Sequence, residues 1–233
     1  MKVTQNTLIT ILSILLLFSF AAEETRIVSA AGEGARLDLF TQKTPFNGAG
    51  FNQSSDAFQP QELIILYALV TYNDLGIPNK LVGFQTDNPT NPFQNVTIVG
   101  TSPTNESGIA QFSFRIPWPA EHAEQIIFGE WHSIATVDVA GNVALDTLSF
   151  SVGWITQITH LTTLNVQLEP QTEFPKGETI VFNLTIQNIA FTPKTATIML
   201  DAVDTANYPI IHIETDSIFP SGQSYIYLTA QIP

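Results

Sequence analysis

Four histidines, the carboxylates and a scatter of hydroxyls are all that this chain offers for acid–base, metal or nucleophilic chemistry, because its 233 residues include no cysteine. Thiolate metal sites, thiol nucleophiles and redox chemistry are thereby excluded, and no disulfide staples the fold. His122 stands between Glu121 and Glu124, and His132 follows Glu130 and Trp131. Such groupings invite a divalent metal, yet neither matches the His-Glu-x-x-His spacing that puts two imidazoles on one helix face. Both are read as solvated side chains. His160 and His212 have no acid or hydroxyl set beside them in a recognisable motif. Asp74, Asp87, Asp201 and Asp204 fall at turns or strand ends, where calcium bridges carboxylates, but no loop of the EF-hand type surrounds them. Ser107 and Ser221 precede glycines in turns, outside the Gly-x-Ser-x-Gly elbow of a hydrolase. No Gly-rich phosphate loop is present, and sequence alone nominates no carboxylate pair for glycoside cleavage. The reading is a chain with no catalytic residue, no metal site and no cofactor, hence not an enzyme.

Asparagine supplies a different chemistry. Asn52, Asn95, Asn105 and Asn183 each precede Ser or Thr by two positions and are candidate glycosylation acceptors. Asn95 shares a strand side with Thr97, opposite Val96 and Ile98, and Asn183 lies opposite Phe182 and Leu184. Both side chains are expected to reach solvent. Trp118 and Trp131 offer ring faces on which a sugar could stack, but Trp131 falls on an apolar row and is read as core.

The elements that must carry these residues are strands. Ala110, Phe112, Phe114 and Ile116 alternate with Gln111, Ser113 and Arg115. After Gly129 a second row runs Trp131, Ser133, Ala135, Val137, Val139, and after Gly141-Asn142 a third runs Leu148, Phe150, Val152. Period two marks half-buried strands, and the three are expected as a meander closing an immunoglobulin-like sandwich. Upstream, Ala35 to Thr41 reads as a strand and Lys43 to Pro60 as a polar surface loop. Leu63 to Val70 is continuously apolar and reads as a strand buried on both sides. Lys80 to Thr86, Asn95 to Gly100 and Ile109 to Ile116 follow, and Ala120 to Gln125 reads as one helical turn. Beyond Thr156 the pattern restarts with Leu164, Val166 and Leu168, then Ile180, Phe182, Leu184 and Ile186. Further strands are expected at Thr195 to Val203, Ile210 to Glu214 and Ser224 to Ile232, with Tyr225 and Tyr227 facing out. The fold class is therefore all-β, with two tandem immunoglobulin-like β-sandwich domains at 35 to 154 and 156 to 233. The second holds fewer strands than the seven or so of a full sandwich. It is read as incomplete, with Pro233 a cut end and its unpaired edges in need of cover.

Lys2 precedes an apolar run from Leu8 to Ala22. About fifteen residues suit the core of a secretory signal and fall short of the roughly twenty that span a bilayer. Residues 1 to 30 are expected to be a signal peptide or an N-terminal anchor, with small-residue cleavage sites at Ala21 or Ala30, and everything after residue 31 outside the cytoplasm. The chain carries 21 acids against 8 Lys and Arg, a net charge of -13. Removing the leader takes two charges of each sign and leaves that balance unchanged. An acidic surface repels phosphate backbones and anionic lipid heads, so no nucleic-acid partner is expected, and a membrane only through the N-terminal segment or a C-terminal anchor.

The phrases Lys80-Leu81-Val82-Gly83-Phe84, Asn105 to Ala110, Phe114 to Pro119 and Phe128-Gly129-Glu130-Trp131 resemble macroglobulin MG2-type and bacterial Ig-like (Big) domains, in versions found in exported archaeal proteins. Residues 156 to 233 are similar to CARDB-type adhesion modules through Leu184-Thr185-Ile186-Gln187-Asn188. Both resemblances imply turns and core positions rather than active residues. A protease-trapping macroglobulin adds many further domains, a bait region and usually a Cys-Gly-Glu-Gln thioester, which a cysteine-free chain lacks. The resemblance implies a non-enzymatic, exported cell-surface protein acting as a spacer or adhesion module on an extracellular or cell-surface protein or glycan. The alternatives are a fragment of a macroglobulin-like proteinase inhibitor and a carbohydrate-binding accessory module of an exported enzyme.

Overall fold

The computed structural model describes residues 34 to 233; the expected leader, residues 1 to 30, lies outside them. In chain order the first half holds β1 (Ala35–Thr41), β2 (Gln53–Phe58), β3 (Leu63–Tyr72), β4 (Leu75–Gly76), β5 (Leu81–Asp87), β6 (Thr97–Pro103) and β7 (Ile109–Arg115). The short helix α1 (Ala123–Ile127) precedes β8 (Gly129–Val139) and β9 (Asn142–Val152). One sheet centres on β3, which pairs antiparallel with β1, β4 and β7, and the facing sheet runs β2-β9-β8-β5-β6. The expected meander is thus split. β7 joins β3, and the chain crosses between the sheets through Pro117-Trp118-Pro119 and α1 before the β8–β9 hairpin begins. Alternation alone reports which side of a strand is apolar, not which strand it pairs with.

The inward rows are as the alternation requires: Ala110, Ile116, Trp131, Ala135, Leu148 and Phe150 are all buried. Trp131 is wholly enclosed, and its indole N–H donates to the Ile127 carbonyl at 2.7 Å. This explains the shift of the helical turn from 120–125 to Ala123–Ile127, which buries Ile126 and Ile127 and aims that carbonyl at the ring. Gly108 turns the chain into β7 at φ 80°, and a Cβ there would come within 2.5 Å of the Val70 carbonyl oxygen. Only glycine fits both conditions.

Two expectations in this half are corrected. The stretch Lys43 to Pro60 is not all surface loop: Gln53–Phe58 forms β2, parallel to β9, with Phe58 enclosed and edge-on to Phe150 at 5.2 Å between ring centroids. Its signal is hidden because Ser55 and Asp56, though polar, are buried with hydrogen-bond partners, as burial demands. Ser55 Oγ lies 2.5 Å from Thr41 Oγ1. In β3, only Ile64, Leu66, Ala68 and Val70 are fully buried; the other face is half-covered, with Tyr67 stacked on Phe40. The outer face is therefore half-buried rather than enclosed.

The second half contains β10 (Thr156–Leu164), β11 (Thr179–Asn188), β12 (Lys194–Val203), β13 (Pro209–Phe219) and β14 (Gly222–Gln231). They form a three-stranded sheet β10-β11-β14 and a two-stranded sheet β12-β13 around their own core of Ile180, Phe182, Leu184, Ile186, Ile198, Leu200, Ile211 and Phe219. The molecule is all-β, with two immunoglobulin-like sandwiches. Val166 and Leu168 are not strand residues. They are exposed in a turn after β10, where Asn165 Oδ1 accepts the N–H groups of Gln167 and Glu169 at 2.9 and 3.0 Å. A polar turn that happens to alternate mimics a strand.

A carboxylate ties the sheets of the first sandwich together. Asp146 on β9 is fully buried, with Oδ2 accepting the Leu39 N–H of β1 and Oδ1 accepting those of Asn52 and Thr147, each at 2.8 Å. Burial raises this carboxyl above its ordinary range against the pull of the three N–H groups, with Asp38 adding to the rise. The folded chain therefore holds this proton more tightly than the unfolded one, so the group's stability contribution is complete at low pH and declines as pH rises through its titration. Asp146→Asn should set an amide N–H against one of the backbone donors and cost about 1–3 kcal/mol at neutral pH. Urea unfolding read by Trp fluorescence checks this. The variant should also lose the pH-dependent decline, since an amide does not titrate.

Candidate functional site

The side chains singled out for chemistry are spread over the surface and engaged in local structure. Asp74 pairs with Arg36 at 3.4 Å between exposed side chains. Asp87 accepts from Thr97 Oγ1 and Gln85 Nε2 at 2.6 and 2.7 Å. Asp204 caps its own turn by accepting the N–H groups of Ala206 and Tyr208 at 2.8 and 2.9 Å. His122 adopts a left-handed backbone and stacks on Phe93, its neighbour Glu121 is exposed, and Glu124 accepts from the Trp154 indole at 3.2 Å. His160, Ser107, Ser221 and Glu130 are exposed. Among the described residues no group of three or more His, Asp and Glu gathers within reach of one metal ion, and no helix is long and apolar enough to cross a membrane.

Of the sequon asparagines, Asn52, Asn95 and Asn105 are exposed. Asn52 Oδ1 accepts from Thr147 Oγ1 at 2.6 Å, and Asn105 Oδ1 accepts the N–H groups of Ser107 and Ile109. Asn183 differs from expectation. It lies on β11, the central strand of its sheet, between Thr162 and Tyr227, and its Oδ1 is enclosed without a hydrogen-bond partner. Alternation placed it opposite Phe182 and Leu184 correctly, and the residue as a whole is half-buried.

His132 lines a shallow concavity of about 320 Å³ on the outer face of the five-stranded sheet, with Asn52, Asp87, Thr147 and Ser149. A second of about 490 Å³ opens over Gly83, Gln85, Val99 and Thr136. Ring faces for stacking are not on this surface: Trp131 is buried, and Trp118 packs against Phe128 and Trp154 with centroids 6.1 Å from each.

A second buried carboxylate, which sequence reasoning also missed, joins the two sandwiches. Asp56 on β2 is 4% exposed, and it belongs to the first sandwich while Phe191, Thr192 and Lys194, which face it, belong to the second. Its Oδ1 accepts the Ala57 N–H at 2.8 Å and the Phe191 N–H at 2.7 Å; Oδ2 accepts from Thr192 Oγ1 at 3.3 Å and faces Lys194 Nζ at 3.9 Å. Around it Phe46 meets Phe191 edge-on at 5.7 Å, and the Ile189 N–H donates to the Ile155 carbonyl at 2.9 Å. Asn188 shapes the receiving loop, donating to the carbonyls of Thr192 and Phe219 at 3.0 Å while accepting the Ala190 N–H at 2.9 Å. The one available signal was an acid flanked by Ser55 and Ala57 inside a stretch otherwise short of charge.

No protein-family model and no curated protein matches the chain. Similar solved structures include Escherichia coli alpha-2-macroglobulin in its native conformation, at 12% identity over 85% of this chain and 15% of that one, with a TM-score of 0.36. A DUF4785 family protein from Legionella pneumophila is 10% identical over 84% of this chain and 47% of its own, with a TM-score of 0.35. The sporulation control protein Spo0M from Bacillus subtilis is 10% identical over 85% and 90%, with a TM-score of 0.29. The chain thus spans about a seventh of the macroglobulin's length.

One titration follows from the surface geometry. His212 Nδ1 lies 2.7 Å from Asp201 Oδ1, and this hydrogen bond, with the charge of Asp201 and then Glu214, raises the imidazole above its ordinary value. Any stability the pair supplies is complete below the unfolded imidazole's pKa and lost as pH rises through the folded one. In a 1H–15N titration His212 should titrate later than an ordinary histidine, and Asp201→Asn should bring its midpoint down.

Proposed function

We propose that the chain is a non-enzymatic, exported cell-surface module that acts as a spacer and adhesion element through its two sandwiches. The observation that carries this is the Asp56 junction. A spacer must hold its ends at a set separation, whereas sandwiches joined by a bare linker move independently. Here a buried carboxylate of the first sandwich accepts main-chain and hydroxyl donors of the second, and rotation about the linker would break those hydrogen bonds.

Export is supported by the apolar run Leu8 to Ala22 after Lys2, and the charge of -13 suits a self-repelling particle in water and disfavours nucleic acid. The partner is an extracellular or cell-surface protein or glycan, met at strand edges or at the stretches Lys43 to Pro60 and Pro117 to Gly129. Phe46, Phe51 and Trp118 there are at least one-third exposed. Exposure also leaves Asn52, Asn95 and Asn105 as acceptors for glycans.

Nitroxides on Val143→Cys and Met199→Cys, exposed positions in different sandwiches, report the separation by pulsed dipolar spectroscopy. The otherwise cysteine-free chain should give one narrow distance distribution, and Asp56→Ala should at least about double its width. A parent distribution already as broad as the variant's overturns the spacer reading.

A further inference from the structure

The second sandwich is covered unevenly, and the unevenness has an address. β10 and β11 lie side by side with Ile158 opposite Ile186 and Leu161 opposite Leu184. Directly paired residues point to the same face of a sheet. Yet Ile186 and Leu184 are 2% and 1% exposed, while Ile158 and Leu161 are both 48% exposed. The facing sheet therefore covers β11 and stops short of β10. Connectivity says why. β13 passes into β14 through Pro220-Ser221 alone, which holds β13 over the β14 side of the three-stranded sheet. β12, which among the described residues pairs with β13 alone, buries Ile198 and Leu200 in one core with Leu184 and Ile186 of β11, so its second edge borders the gap above β10. A strand added there, about 4.8 Å away, would lie over Ile158 and Leu161.

We propose that the free edge of β12, with Ile158 and Leu161 beneath it, is the acceptor for an extended segment of a partner polypeptide that adds as a third strand. The proposal rests on the adhesion reading and names its surface. Three observations define the occupant's chemistry. The unpaired β12 edge offers alternating N–H and C=O groups, which only an extended backbone satisfies in register. The exposed isoleucine and leucine require apolar side chains at every second position. The outer face of β12 and β13 carries Asp201, Glu214 and Asp216 against His212, and Lys194 is turned toward Asp56, so the intervening positions should be Lys, Arg or Thr. β12 is ten residues long, which sets the length of the match.

The test uses the whole chain and an acetylated, amidated synthetic peptide of roughly ten residues alternating Val with Lys or Thr, and a control with Pro at its centre. Hydrogen exchange should show new protection along β12 and not along β14 or β6, for the first peptide alone. Ile158→Lys with Leu161→Lys should weaken binding, read by fluorescence anisotropy, at least about tenfold, while Val143→Lys on the first sandwich leaves it unchanged. Leu161→Lys alone serves if the pair perturbs the thermal melt. Equal affinity of parent and variants, protection at another edge, equal binding of the Pro control, or no binding at millimolar peptide overturns the proposal. A narrow spin-label distance alongside any of these leaves the spacer reading standing, so the two failures are told apart.

Discussion

Main-chain N–H groups turned onto buried carboxylates are the constraint on which this architecture rests. A carboxylate withdrawn from water is tolerated only when donors surround it, and here most of the donors are backbone. Asp146 gathers three of them from β1, β9 and the loop before β2, so the position of one side chain decides how the two sheets and that loop meet. Asp56 does the same across the junction. In both cases the acid satisfies backbone N–H groups by accepting their hydrogen bonds with its side chain.

What was legible in the sequence was the side-to-side pattern, and what was not was everything that depends on a polar residue being inside. The rows headed by Ala110, Trp131 and Leu148 are where period two placed them, since burying an apolar face is a local demand. β2 was lost because Ser55 and Asp56 read as loop residues, and the same error hid the junction. Val166 and Leu168 failed in the opposite sense, apolar residues alternating in a turn organised by Asn165. Strand pairing was equally out of reach: nothing in the alternation of β7 separates a partner at β8 from one at β3. Among the sequons, Asn183 is half-buried on the central strand of its sheet, a position that depends on the pairing of β10 and β14 with β11 and is not a local fact.

The two sandwiches manage their edges differently. In the first, sheets of comparable breadth face each other and enclose residues such as Leu39, Ile64 and Trp131 completely. In the second, three strands face two, and the inward residues of β14 are only half-covered. An open edge next to apolar surface normally invites self-association, and strong like charge is one of the devices that restrain it. The acidic balance of the whole chain, -13, is a like charge of that kind.

The parallel pairing of β2 with β9 bears on how the molecule answers a pull. Both strands run toward the junction, where Phe58 sits beside Val152, and the Gly153 N–H donates to the Phe58 carbonyl at 3.2 Å. Tension from the second sandwich enters the first along β9 through the peptide chain and along β2 through Asp56. Adjacent strands drawn the same way from the same end do not slide past each other, so the ladder between them is spared and the pull falls instead on the antiparallel ladder that holds β9 to β8.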